Sequence, residues 1–272
     1  MTHLLSLAAG VLPEFPPDEI VSAAAQAGYR ASGIWCDTET WTAATTAAVA
    51  RQLREGALLP LDIEVIWIRA GREASDAARR LIAIGGELGA RNVLIVSANP
   101  DMLETQLQFA QLCELAQAAG MRAMLEFLMI AEVRTLAQAR AIVETVAHPN
   151  GGILIDALHL QRCGATPADV FALPREWLPY AQLCDGPAVL VPAAGSGAPT
   201  ANDYLVDAID GRSSAGEGGL PLGALLRALP TDVPLSLEVR SRHYRETYPD
   251  PVARARAVRE ATERFLAIAE SH

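Results

Sequence analysis

A chain of 272 residues that is 51% apolar and 20% charged can bury a large core, and it matches the size of one α/β barrel of about 250 residues. Its net charge of -10, with all 22 basic residues arginine and none lysine, repels polyanions and offers no basic stripe, so nucleic acid is excluded as an expected partner. Cys36, Cys113, Cys163 and Cys184 are too widely spaced for a zinc knuckle or a dense disulfide framework. With no basic leader at the start and no uncharged run long enough to span a bilayer, the expected location is cytoplasmic, without membrane association.

In chain order, short apolar runs alternate with stretches of helical period. Strands are predicted at about 3–8, 31–36, 61–68, 91–97, 122–127, 152–157, 179–184 and 235–239. Pro17, Asp18 and Glu19 open the first helix, with a proline in its first turn and acids at the positive end of its dipole, and Gly28 closes it. A helix over about 75–88 sets Ala77, Leu81, Ile84 and Leu88 on one face and ends at Gly89, and the helix over about 101–119 ends in the same way at Gly120. From Pro187 to Gly219 the rhythm breaks into a stretch rich in Gly, Pro, Ala and Ser with no long helix in evidence; it reads equally as a lid on the catalytic face or as a connector. Eight βα repeats predict the α/β class, a single (β/α)8 TIM barrel occupying 1–272.

Four strands of the second half run apolar and then end on an oxygen donor: Glu126 in AMLEF, Asp156 in GILIDALHL, Gln182 in YAQLCDG and Glu238 in PLSLEVR. In a closed parallel barrel these ends converge on one face, where a shared divalent cation would satisfy groups that are costly to bury alone. Each has a plainer reading on its own: a solvated strand-end acid at Glu126, a helix N-cap at Asp156. His159, three residues after Asp156, falls on the same side of a helical turn and reads as a hydrogen-bonding or substrate-contacting group rather than a ligand. Trp35 and Trp67 end early strands and read equally as an aromatic wall against a ligand or as core.

These segments, together with GRSSAGEGG from Gly211 to Gly219, resemble the sugar phosphate isomerase/epimerase superfamily with the xylose isomerase-like TIM barrel, over nearly the whole chain. The resemblance implies one divalent cation held by Glu126, Asp156, Gln182 and Glu238, the third departing from the family's usual histidine. An all-oxygen set suits Mn²⁺ or Mg²⁺ over Zn²⁺ or Co²⁺. It further implies that Glu126 and Glu238 carry acid/base chemistry, that His159 and Arg212 contact the substrate, and that a residue near Glu132 assists proton transfer, although FLMIAEV departs from the family's polar loop there. The implied reaction is isomerisation or epimerisation of a sugar or related hydroxy-carbonyl compound through an enediolate. A dehydratase or lyase using the same intermediate and a non-catalytic sugar-binding barrel with a degenerate metal site are the alternatives. The expected partner is a small sugar-like substrate, and the expected assembly is a homodimer.

Overall fold

The computed structural model describes residues 3–193, 195 and 197–269. Its elements in order are β1 (Leu5–Leu7), α1 (Pro17–Gln26), β2 (Ala31–Trp35), α2 (Ala43–Glu55), β3 (Leu59–Ile68), α3 (Asp76–Leu88), β4 (Asn92–Ser97), α4 (Met102–Ala118), β5 (Arg122–Glu126) and α5 (Leu136–Val146). There follow β6 (Gly151–Asp156), α6 (Ala157–Arg162), α7 (Pro167–Phe171), β7 (Ala181–Leu183), α8 (Ala201–Asp210), α9 (Leu222–Ala228), β8 (Leu235–Leu237), α10 (Arg242–Thr247) and α11 (Pro251–Ala269). The strands are parallel neighbours in chain order, and β8 pairs with β1, Leu5 to Leu235 and Leu7 to Leu237, to close the barrel.

Strand alternation divides the core into two shells. Leu7, Ile34, Ile63, Val93, Leu125, Ile153, Leu183 and Leu237 point outward and pack against the helices. Ala31, Leu61, Leu94, Met124, Leu154 and Tyr180 fill the lumen. β3 interrupts the alternation twice. Ser32 pairs with Pro60 and Gly33 with Asp62, which leaves Leu61 as an extra residue; Ile63 pairs with Val93 and Ile66 with Ile95, a second irregularity around Glu64 and Val65.

The helix signals in the sequence act as expected at most ends. Ser75 caps α3 by accepting from Ala78 N, and Gly89 closes it at φ +74°, a left-handed conformation that costs glycine little. The buried face of α3 is Ala78, Leu81, Ile82, Ile84, Gly85 and Leu88, so Ala78 takes the place predicted for Ala77, which is exposed. The irregular stretch after β7 also differs from expectation, because it contains the ten-residue helix α8. Thr200 starts that helix through a reciprocal cap in which Thr200 Oγ1 accepts from Asp203 N at 3.2 Å and Asp203 Oδ2 accepts from Thr200 N at 2.8 Å.

Candidate metal centre

The C-terminal ends of β5 to β8 bring the predicted donors together. Glu126 is the last residue of β5 and is 7% exposed. Asp156 ends β6 and at the same time caps α6, Oδ1 accepting from His159 N at 2.9 Å, so its strand-end and cap readings describe one carboxylate. That cap turns α6 inward and sets His159 beside it. Carboxylate oxygens of Glu126 and Asp156 and a ring nitrogen of His159 all lie within 4.8 Å of one another.

Gln182, in the middle of the three-residue strand β7, uses Nε2 to donate to Glu238 Oε2 at 2.9 Å, and both side chains are buried. The other oxygen of Glu238 lies against Gly10: a Cβ at position 10 would come within 2.5 Å of Oε1. The turn after β1 closes over Glu238, and the missing side chain at residue 10 leaves Oε1 its room.

Arg212 enters from the segment after α8 and is 4% exposed. Its Nη1 donates to Asp156 Oδ2 at 2.5 Å and to Cys184 Sγ at 3.2 Å, Nε donates to Ala208 O at 2.8 Å, and Nη2 lies 3.3 Å from His159 Nε2. Because a guanidinium only donates, His159 Nε2 accepts there and the ring proton sits on Nδ1. Helix α8 is itself fixed to α6 by a buried ion pair, Arg162 Nε to Asp207 Oδ2 at 2.7 Å, while Arg162 Nη2 donates to Pro187 O.

The rest of the GRSSAGEGG segment is scaffold. Asp185 Oδ1 accepts from Gly186 N and Leu220 N and Oδ2 from Gly216 N, tying the middle and the C-terminal end of the segment to one carboxylate. Glu217 accepts from the Tyr244 hydroxyl and from Ser214 N. Glu132 is not drawn to the site; its half-exposed carboxylate lies 3.7 Å from Arg134. Trp35, 41% exposed, and Trp67 line a cleft of about 540 Å³ in which the Arg69 guanidinium sits 5.4 Å from the Trp67 ring centre.

Electrostatics set the acids apart. Burial, then the charges of Asp156 and Glu238, raise the Glu126 carboxyl well above the usual range. Burial also raises Glu238, against the pull of Arg212 and Arg240. Burial alone would raise Asp156 too, but the Arg212 guanidinium and His159 outweigh it and hold this carboxyl low. Burial lowers His159 to about 4 despite the adjacent Asp156, so the ring is neutral at pH 7. A cation between Glu126, Asp156 and Glu238 would relieve the repulsion that raises Glu126, and in this sense the donors fit one.

Sequence reasoning missed a second acidic pair. Asp62 and Glu64 lie on β3, 0% and 5% exposed, and among the described residues neither Asp62 oxygen nor Glu64 Oε1 has a hydrogen-bond partner. The visible signal was two acids two residues apart inside the apolar run LDIEV.

An eight-stranded parallel barrel with Glu126 and Asp156 at the ends of β5 and β6 and Glu238 just after β8 defines the class of the protein. The family model for the xylose isomerase-like TIM barrel matches residues 21–267, and the chain belongs to that family. No curated protein matches the sequence significantly. Among solved structures, a xylose isomerase-like TIM barrel/4-hydroxyphenylpyruvate dioxygenase fusion protein aligns with TM-score 0.78 and 19% identity over 96% of this chain, which spans 42% of that longer protein. The IolI protein with bound zinc aligns with TM-score 0.76 and 15% identity over 98% of both chains. A D-allulose 3-epimerase from Methylomonas sp. aligns with TM-score 0.68 and 14% identity over 97% of this chain and 98% of the other. At these identities the likeness is one of fold. Among the described residues, no helix is long and apolar enough to cross a membrane.

Proposed function

We propose that the protein is a divalent-metal-dependent isomerase or epimerase acting on a sugar or related hydroxy-carbonyl compound through an enediolate. The observation that carries this reading is the convergence of Glu126, Asp156 and His159 within 4.8 Å at the barrel mouth, flanked by Glu238. Glu126, Asp156, Gln182 and Glu238 would hold the cation, and their oxygen donors favour Mn²⁺ or Mg²⁺ over Zn²⁺ or Co²⁺. When bound, such an ion would polarise a substrate carbonyl and so acidify the neighbouring C–H.

Protein groups supply the remainder. Glu126 ends β5 and Glu238 follows β8, with β6 and β7 between them, so two carboxylates would address the reacting carbons from different directions, one removing a proton and the other returning it. Arg212, fixed by Asp156 and the Ala208 carbonyl, and neutral His159 present N–H groups to substrate oxygens. Retention of the skeleton gives isomerisation or epimerisation; loss of a β-hydroxyl from the same enediolate gives a dehydratase. The zinc in the IolI protein and the chemistry of the D-allulose epimerase support a cation and a sugar at this barrel mouth.

One observation favours a second reading, a sugar-binding barrel without catalysis: Arg212 balances Asp156 and Gln182 engages Glu238, so two of the acids already have protein partners. Exchange of a sugar's α-proton with solvent deuterium, followed by NMR in the presence of Mn²⁺ and then after its removal, separates the two. Glu126→Gln should abolish the exchange while leaving the circular dichroism unchanged. Undiminished exchange in that variant would remove Glu126 from the chemistry, and metal binding with no exchange on any hydroxy-carbonyl sugar would favour the binding barrel.

A further inference from the structure

The lumen contains oxygens that the proposed reaction leaves unused. Asp62 is completely buried, with both oxygens unpartnered, and Glu64 is buried with one oxygen unpartnered. The Tyr180 hydroxyl, also completely buried, has no partner among the described residues. Tyr180 packs in the same lumen cluster as Leu61, the neighbour of Asp62, and its ionisation is opposed chiefly by burial and then by the charges of Asp62, Glu64, Glu126 and Glu238. Ser6 and Ser236, opposite one another on β1 and β8, present unpartnered hydroxyls on the same lumen-facing set of positions, since their neighbours Leu5, Leu7, Leu235 and Leu237 pack outward.

The backbone leaves space for this group. A Cβ on Gly33 would lie 3.3 Å from each Asp62 oxygen, so glycine at that position gives the carboxylate its room. Leaving so many buried polar atoms unpaired costs a few kcal/mol each, roughly 1–3 by mutational scales. An apolar lumen of Leu61, Leu94, Met124 and Leu154 offers them nothing in return.

Charge identifies the occupant. Five buried carboxylates, Asp62, Glu64, Glu126, Asp156 and Glu238, interact with two guanidiniums, Arg212 and Arg240. With all five ionised, a divalent cation at the mouth would leave a single negative charge uncompensated among these groups, and this count is the only part of the inference that rests on the proposed function. We propose that Asp62, Glu64 and the Tyr180 hydroxyl form a second, monovalent cation site inside the barrel, taking Na⁺ or K⁺. Uncharged hydroxyl and carboxylate oxygens are hard donors suited to such an ion, and the site keeps the barrel interior neutral when the mouth is loaded.

The test is thermal unfolding of the full chain in KCl, NaCl and choline chloride at equal ionic strength, together with crystals soaked in Tl⁺ and examined by anomalous scattering. An alkali cation bound only by the folded state raises Tm by about 2–5 °C for each tenfold increase above its Kd. The gap over choline should vanish in Asp62→Asn, and the Tl⁺ peak should lie among Asp62, Glu64 and Tyr180. If that variant fails to fold, Tyr180→Phe, which removes one neutral donor, should weaken the K⁺ response at least severalfold. No cation-specific gain and no Tl⁺ peak, with a protonated-carboxyl infrared band lost in Asp62→Asn, would overturn the site and show a shared proton in its place. Mn²⁺ stoichiometry, measured separately by elemental analysis, reads the mouth: its failure sinks the proposed function, and the Tl⁺ result stands by itself.

Discussion

Replacing Arg212 by Met tests whether the site is an electrostatic unit. The side chains of Arg212 and Asp156 are 3% and 0% exposed, and Nη1 to Oδ2 is 2.5 Å. Removal of the guanidinium leaves Asp156 in the interior with only His159 N as a donor, and deprives the Ala208 carbonyl of its partner. Breaking a buried pair from one side costs about 3–5 kcal/mol, because the surviving charge stays desolvated. For a chain of this size that corresponds to a Tm loss of roughly 10 °C. Urea melts at pH 7 in chelator should show it, and the double variant Arg212→Met/Asp156→Asn should be less damaged than the sum of the singles by about 2–3 kcal/mol. Mn²⁺ should in turn bind Arg212→Met about tenfold more tightly or better, since a fixed positive charge beside Asp156 no longer opposes it. Arg162→Met serves as the control. It breaks the equally buried Arg162–Asp207 pair and should lower stability while leaving Mn²⁺ affinity within about twofold, a difference of ~0.4 kcal/mol. A stability loss under about 1 kcal/mol in Arg212→Met, with unchanged Mn²⁺ affinity, would refute the assignment of Asp156 as a buried anion balanced by Arg212.

Three further outcomes follow from the same geometry. His159 titrates near 6.5 unfolded and about 4 folded, so between these values the unfolded chain takes up a proton that the native state refuses; its stabilisation is complete above pH 6.5 and is lost, by about 3 kcal/mol, as pH falls to 4. The difference between wild type and His159→Asn in urea melts across that window isolates this effect from the acids, and parallel curves would show that the ring is not buried neutral. In Gly218→Ala the new methyl would come within 2.5 Å of Gly186 N and closer still to Asp185 Oδ1, so a loss of about 1–3 kcal/mol is expected, and an unchanged midpoint would mean that the segment closes differently. Gln182→His exchanges an amide for an imidazole and should shift calorimetric preference from Mn²⁺ towards Zn²⁺ or Co²⁺; an unaltered order would place residue 182 outside the coordination set.

The parts of this molecule that can be read along the chain are those whose cause is local. Each of the eight strands is an apolar run bounded by glycine, proline or polar residues, and a carboxylate at the end of such a run is conspicuous, so Glu126, Asp156 and Glu238 announce themselves. Helix α8 also has a local cause, the Thr200–Asp203 cap, but it is only ten residues long and set in a Gly, Pro and Ala background that hides its period. What the acids face has no such local cause. Arg212 reaches Asp156 across 56 positions, past a helix that Arg162 and Asp207 hold separately, and no window of sequence contains both contacts. Asp62 and Glu64 show the limit most sharply. Alternation would place both on the face of β3 opposite Leu61, away from the lumen, yet the extra residue at Leu61 resets the pleat and carries Asp62 to the lumen beside Gly33. A strand's composition thus declares that a charge is buried, whereas its register against the neighbouring strand decides which other charges it must live with, and in this barrel those neighbours are the acids of the mouth.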